Sequence, residues 1–280
     1  MRSVLVTGAS SGIGKATALR MDAAGWRVFA GVRRDQDAEA LSHAGSERLL
    51  PLNLDITDQG QIAAASELIA ETVGEAGLDG LVNNAGIIVV GPVETLPIDE
   101  FRNQMEVNLV GHVAVAQELL PQVRNARGRI VFIGSIGGLM AYPFGAAYHA
   151  SKFGLEAVAD CLRQEVKRWG IEVSMVEPGA IDTPIWDRGE KIVDELAEKA
   201  PPAHERYYAE SVGRMLAQGE KFRARASSPE KVAGVVERAL IADRPRHRYL
   251  VGIDAHVQVR AHQLVPARAF DWLVAKSMGT

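Results

Sequence analysis

Residues 146–154 read AAYHASKFG, with a tyrosine and a lysine four positions apart among small residues. If the segment is helical, positions i and i+4 share a face, so Tyr148 and Lys152 project into the same space. A phenol there can give a proton to a carbonyl oxygen or take one from an alcohol. A free tyrosine titrates near pH ~10, and an adjacent ammonium stabilises the phenolate and shifts that value down. The same spacing also fits a plain surface contact, so the chemistry depends on what the chain builds around the pair.

A second candidate lies in TGASSGIGKATALRM, where Gly8, Gly12 and Gly14 follow a short apolar run and precede a helical pattern. Glycines at such a junction permit tight turns, and main-chain N–H groups at the helix start attract a pyrophosphate. The spacing is G-x-x-x-G-x-G, distinct from the common G-x-G-x-x-G fingerprint. At the end of the next apolar run a dinucleotide fold normally places an acid for the ribose hydroxyls, whereas an arginine accommodates a 2′-phosphate. Here the run ends AGVRRD: Val32 takes the acidic position and Arg33 and Arg34 follow. Guanidinium groups suit a phosphate better than a neutral diol, which favours NADP(H). NAD(H) stays open, since a shift in register brings Asp35 to the ribose.

These residues must be positioned by elements, and short apolar runs recur at 3–7, 27–32, 48–54, 78–84, 129–134, 171–178 and 248–252. Helical spacing fills 13–24, 61–73, 100–123, 150–169 and 230–241. Alternating near-continuous apolar strands and helices predict a parallel, doubly wound α/β sheet covered on both faces. At 280 residues this is expected to be one domain over 1–280. The charged segment from about 184 to 228 breaks the rhythm and reads as an insertion forming a substrate lid. Its apolar members, Ile185, Trp186, Ile192, Val193, Leu196, Tyr207, Tyr208, Val212, Met215, Leu216 and Phe222, are expected to line a cavity for a lipophilic substrate.

A net charge of −4 supplies no basic field for nucleic acid. Cys161 is the single cysteine, which excludes an intrachain disulfide and a cysteine metal cluster. The start lacks a signal-peptide apolar core, and no run approaches the ~20 apolar residues of a membrane span, so a cytoplasmic protein is expected.

Taken together, TGASSGIG (7–14), NNAG (83–86), MEVNLVG (105–111), FIGS (132–135), YHASK (148–152) and EPGAIDT (177–183) make the chain resemble the short-chain dehydrogenase/reductase family. The match in order and spacing covers roughly 180 residues. The late segment 227–252 and the helical tail resemble more weakly the branch with retinol and hydroxysteroid dehydrogenases.

The resemblance implies a single Rossmann-type domain with a seven-stranded parallel sheet and hydride transfer through a nicotinamide. It also implies a tetrad of Asn108, Ser135, Tyr148 and Lys152. In the family the lysine also binds the nicotinamide ribose, the serine hydroxyl polarises the substrate oxygen, and the asparagine holds its helix and a proton-relay water. By the same resemblance the cofactor would be held by Gly8, Ser10, Ser11, Gly12, Ile13 and Gly14, with Arg33 and Arg34 at the 2′-phosphate. Asp55 and Ile56 match the adenine edge, and Asn84, Ala85 and Gly86 the turn beside the ribose. Pro178, Gly179, Ile181 and Thr183 match the loop at the nicotinamide carboxamide, while Tyr148 and Lys152 also contact the cofactor. The family carries no required metal, and it commonly forms homodimers or homotetramers.

The resulting expectation is an NADP(H)-dependent enzyme that interconverts a lipophilic alcohol and its ketone or aldehyde. An NADP(H)-sensing regulator, or an isomerase or dehydratase on the same fold, are the alternatives. His149 is expected to point away from Tyr148's site, since helix neighbours differ by about 100°. His112 reads as a packed or partly exposed residue, and Cys161 as core or interface. The tail from 260 onward fits a terminal helix packed on the domain, with peripheral membrane contact by its aromatic face as the other reading.

Overall fold

The computed structural model describes residues 1–199 and 202–278. The chain runs β1 (Ser3–Val6), α1 (Gly12–Ala23), β2 (Arg27–Val32), α2 (Asp35–Ala44), β3 (Leu49–Asn53), α3 (Gln59–Val73) and β4 (Gly80–Asn83). It continues through α4 (Ile98–Met105), α5 (Gly111–Ala126), β5 (Arg129–Ile133), α6 (Ala146–Val166), β6 (Glu172–Pro178), α7 (Ile185–Lys199) and α8 (Pro202–Arg223). Then come α9 (Pro229–Ile241), β7 (Arg248–Val251), α10 (Ile253–Leu264) and α11 (Ala267–Met278).

All seven strands pair in parallel, in the order β3-β2-β1-β4-β5-β6-β7. The strand period of two divides their apolar residues between the faces. Leu5, Phe29, Leu81, Ile130 and Phe132 face α3, α5 and α6, while Val4, Val6, Val28, Val82 and Val131 face α1 and α9. Burial on both faces is why these strands read as continuous apolar runs instead of alternating ones. The chain leaves β1 toward β2 and β3, then returns to place β4 on the other side of β1, and this switch point opens a crevice at the strands' carboxyl ends.

Three expectations needed revision. The segment 100–123 is not one α-helix: α4 and α5 are joined by a π-helical turn over Glu106–Val110. The helix α2 carries too little apolar periodicity to be visible, with Leu41 its one buried residue among those of the helix. Cys161, read as core or interface, is exposed on α6, which removes the core reading.

The tail forms two helices, divided at Pro266. Phe270 turns inward, with its ring centroid 6.1 Å from that of Tyr142 and 4.7 Å from that of His262. Trp272 and Leu273 of the same helix remain 59% and 51% exposed. Among the described residues no helix is long and apolar enough to cross a membrane.

Candidate active site

The glycine turn sits at the switch point. Gly8 and Gly12 have φ of 65° and 53°, a region that L side chains rarely adopt. A Cβ at Gly14 would collide with the Gly8 carbonyl and the Asn84 side-chain amide. That amide donates to Thr7 O at 2.9 Å and Gly8 O at 3.1 Å, while Thr7 Oγ1 accepts from the backbone N–H groups of Asn84 and Ala85 at 2.9 and 3.0 Å. Thus NNAG is bolted onto the glycine turn. Ser11 is the N-cap of α1 but makes no side-chain cap hydrogen bond, and the first turn holds no acid. An uncapped helix start beside glycines in left-handed backbone is the arrangement that receives a pyrophosphate, and Gly8, Ser10, Ser11, Gly12 and Ile13 all line the adjoining cavity.

At the far end of that cavity lie Val32, Arg33, Arg34, Asp55 and Ile56. The two arginines are unequal. Arg34 is held in a two-pronged contact by Asp37, at 2.8 and 3.0 Å, whereas Arg33 stands 3.7 Å from Asp55 with its side chain 61% exposed. Burial works to raise the Asp55 carboxyl, but hydrogen bonds from the Thr57 backbone and hydroxyl, with the Arg33 charge, bring it below the usual carboxylate range. An anionic Asp55 therefore orients Arg33 toward the cavity rim.

Tyr148 and Lys152 meet on one face of α6 as their spacing requires, with Lys152 Nζ 6.0 Å from the phenol ring centroid. The small residues around them have a steric purpose: a Cβ on Gly137 would stand 3.0 Å from Tyr148 Cε1. Ser135 follows β5 and lines the cavity with Tyr148, whose phenolate its hydroxyl favours. Its Oγ also accepts from Gly137 N at 3.0 Å, which fixes its rotamer. Burial pushes the Tyr148 phenol up from its ordinary value and the Ser135 contact opposes this. The nearby Lys152 ammonium, expected to lower it, does not offset this burial. Lys152 Nζ donates to Ile133 O at 2.8 Å, and burial lowers its ammonium to about 8, with Glu156 opposing.

Asn108 is fully buried in the π-helical turn. Its Oδ1 accepts from Ile87 N at 2.9 Å and its Nδ2 donates to Ile87 O at 3.0 Å. A π turn is a frequent mark of functional sites, and here it aims an amide at both polar groups of one backbone residue. Gln104, one turn earlier and also fully buried, accepts from Val89 N at 2.6 Å and donates to Ile87 O at 3.1 Å. Sequence reasoning passed over Gln104, although its i−4 spacing from Asn108 was a usable signal.

His149 is occupied elsewhere, as its helix position predicted: Nδ1–H donates to Gly137 O at 2.8 Å and Nε2 accepts from Tyr142 N at 3.1 Å. These two bonds fix the tautomer, and burial lowers the ring's pKa, so His149 is a neutral clamp on the 137–142 loop. His112 is fully buried, and burial, followed by the Lys152 charge, holds it down near 3.

Pro178, Gly179, Ile181 and Thr183 leave β6 along the cavity wall. Asp254 of α10 accepts from Ala180 N at 2.8 Å, and a Cβ on Gly179 would run into that carboxylate. This explains a glycine that resemblance alone assigned, and Asp254 itself had no local signal. Gly86 lies against Asn108, whose Oδ1 would be 3.4 Å from a Cβ there.

One cavity of about 880 Å³ therefore connects the glycine turn, Arg33, Lys152, Tyr148 and Ser135 with an apolar end. Of the eleven insertion residues expected there, Ile185, Trp186, Met215, Leu216 and Phe222 line it, joined by Ile88 and Val90 from the loop after β4. The remaining six do not. Val193 is buried, Tyr207 is 60% exposed, and the Tyr208 hydroxyl donates to Glu94 Oε2 at 2.6 Å. Among the described residues no group of three or more His, Cys, Asp or Glu side chains is placed to hold a metal.

The model of the short chain dehydrogenase family matches residues 2–192, which include every segment of this site except the insertion's later part and α10. The chain belongs to the short-chain dehydrogenase family. It is 39% identical over 282 residues to the 17-beta-hydroxysteroid dehydrogenase type 6 of Bos taurus, covering 98% of this chain and 88% of that one. It is 38% identical over 286 residues to the retinol dehydrogenase 5 of Homo sapiens, covering 98% and 89%. A bacterial relative, the NADPH-dependent 3-dehydrocapnine reductase of Ornithobacterium rhinotracheale, is 34% identical over 283 residues, covering 99% and 98%. Among solved structures, a short-chain dehydrogenase from Streptomyces avermitilis superposes with a TM-score of 0.78 at 29% identity, over 98% of this chain and 97% of that one. These relatives place the short-chain dehydrogenase in the retinol and hydroxysteroid dehydrogenase-like branch, as its late segment suggested.

Proposed function

We propose that this short-chain dehydrogenase interconverts a lipophilic alcohol and its ketone or aldehyde with NADP(H), and that Tyr148 is the proton donor and acceptor. The observation that carries the reading is the single cavity in which the phenol, the Ser135 hydroxyl and the glycine turn face one another, with an apolar wall beyond them. The nicotinamide, when bound, supplies or accepts the hydride. The residues handle the proton and the oxygen. Tyr148, kept neutral by burial, gives its proton to the carbonyl oxygen in reduction and takes one from the alcohol in oxidation. Ser135 polarises the same oxygen, and Lys152, fixed by Ile133 O, holds the positive charge that favours a phenolate.

NADP(H) is the favoured cofactor because Arg33 leans over the adenosine end of the cavity with no acid at Val32. The name of the bacterial relative, an NADPH-dependent reductase, agrees with this. Arg34 must leave Asp37 before it can reach a phosphate, so Arg33→Ala is expected to weaken NADPH about tenfold or more and Arg34→Ala less. NADH should respond to neither. Fluorescence titration of both cofactors tests this, and equal losses for NADPH and NADH would remove the phosphate assignment.

The substrate class follows from the wall formed by Trp186, Met215, Leu216 and Phe222 on α7 and α8, which act as a lid. Area buried on this wall is worth about 25 cal/mol per Å². Across alcohols or ketones of increasing apolar bulk, including steroid- and retinoid-sized members, kcat/KM is expected to rise by one to two orders of magnitude. A flat series, or a preference for charged polar carbonyls, would end the lipophilic reading.

A further inference from the structure

On the face of α6 that carries Tyr148 and Lys152, just beyond the cavity, two acids are buried against each other. Glu156 lies one turn beyond Lys152, and Glu177 stands next to the end of β6; they are 7% and 1% exposed. Both project to the sheet face that α6 covers. The two carboxyl groups lie against the same guanidinium nitrogen, and each shifts the other's titration. One cation touches both. Arg248, the first residue of β7, donates from Nε to Glu156 Oε2 at 3.1 Å, and that Nε is 3.3 Å from Glu177 Oε1. Its Nη2 lies 3.0 Å from Glu156 Oε2 and 2.8 Å from Asp160 Oδ2. Asp160 is half-exposed and has Arg163 as a second partner at 3.1 Å.

One guanidinium thus faces two buried carboxyls and a share of a third. Written as two carboxylates, Glu156 Oε1 and Glu177 Oε1 are both left buried with no hydrogen-bond partner. Two such anions side by side are costly, and one proton between them relieves both the repulsion and the missing partners, since a carboxyl O–H donates where a carboxylate accepts. Burial raises both groups, and repulsion from Glu156 raises Glu177 further, against the pull of Arg248.

The pair bears on the site through Lys152. The groups that face the lysine are Tyr148 and Glu156 on α6, neutral His112 on α5, and the Ile133 carbonyl on β5. Glu156 is the negative charge among them, and it opposes the burial that lowers the ammonium.

We propose that Glu156 and Glu177 are positioning residues which share one proton beneath Arg248, and that the negative charge left on the pair, held next to Lys152 by Glu156, keeps Lys152 an ammonium inside the protein. The role rests on the reading of Lys152 given above. Infrared difference spectra of wild-type protein labelled with carboxyl-¹³C glutamate should show a protonated buried carboxyl at pH about 7. Glu156→Gln and Glu177→Gln should each abolish it, because a lone acid beside Arg248 ionises. No such band in the wild type, or the full band surviving in either variant, overturns the shared proton.

In ¹³Cε-lysine NMR, the Lys152 midpoint should fall by about one pH unit in Glu156→Gln, a tenfold weaker proton, and should not fall in Glu177→Gln. Equal falls in both, or none in Glu156→Gln, overturns the coupling to Lys152. The alkaline limb of kcat/KM should move with that midpoint. A lysine that titrates as stated while kcat/KM stays put would support the carboxyl pair and overturn the assignment of Lys152 to the reaction. The wild-type spectrum needs no variant to fold.

Discussion

Tyr148→Phe is expected to lower kcat/KM by about 10³-fold, within the range that a positioned proton donor contributes, while NADPH affinity stays within about twofold. The substitution removes one oxygen and leaves the ring that packs against Gly137 and His149. The phenol's burial means the group lost is a neutral donor near pH 7, so carbonyl reduction should suffer at neutral pH. Alcohol oxidation needs the phenolate; in the wild type its rate should climb with pH, and in the variant that climb should vanish. Steady-state kinetics in both directions, with cofactor binding by fluorescence, separates chemistry from binding. A variant that turns over within tenfold of the wild type would remove Tyr148 from the reaction.

What could be read from the chain beforehand divides along physical lines. Short-range signals survived. The strand edges matched to within two residues, because runs buried on both faces are apolar through most of their length. Gly8 and Gly12 announced left-handed backbone, and the Tyr148–Lys152 spacing announced a shared helix face. Features that depend on contacts distant in sequence were hidden. Asp254 reaches Ala180 across 74 residues, and Arg248 reaches Glu156 across 92. The π turn was hidden for another reason: MEVNLVG keeps apolar residues at helical intervals, so periodicity alone extends the helix through it. The insertion was found by its length and charge. Which of its apolar residues turn inward depends on how α7 and α8 lie on the loop after β4, and there the expected wall kept only five of eleven. The contact that holds Arg34 was not foreseen either, because its partner Asp37 lies on a helix with little apolar period.

The π turn leads to the prediction with the largest effect on the fold near the site. Asn108→Leu keeps the side-chain volume nearly constant but removes both the acceptor for Ile87 N and the donor to Ile87 O. Gln104 still reaches Ile87 O, so the carbonyl keeps one partner, whereas the N–H loses the partner it has. Leaving a buried group unsatisfied costs about 1–3 kcal/mol, and the lost amide donor adds about 0.5–1.5 kcal/mol. A total near 2–4 kcal/mol should appear as a lower urea midpoint with unchanged m-value. The loop that follows Gly86 should loosen too. Because Ile87 and Ile88 line the cavity between the glycine turn and the α7 and α8 wall, kcat/KM should fall by about 10²-fold, consistent with small displacements of positioned groups. Hydrogen exchange at the Ile87 and Val89 amides locates the damage: Ile87 should lose protection while Val89, still bound by Gln104, keeps most of its own. An unfolding free energy within about 1 kcal/mol of the wild type, with Ile87 still protected, would mean that Asn108 does not hold the loop after β4 in place.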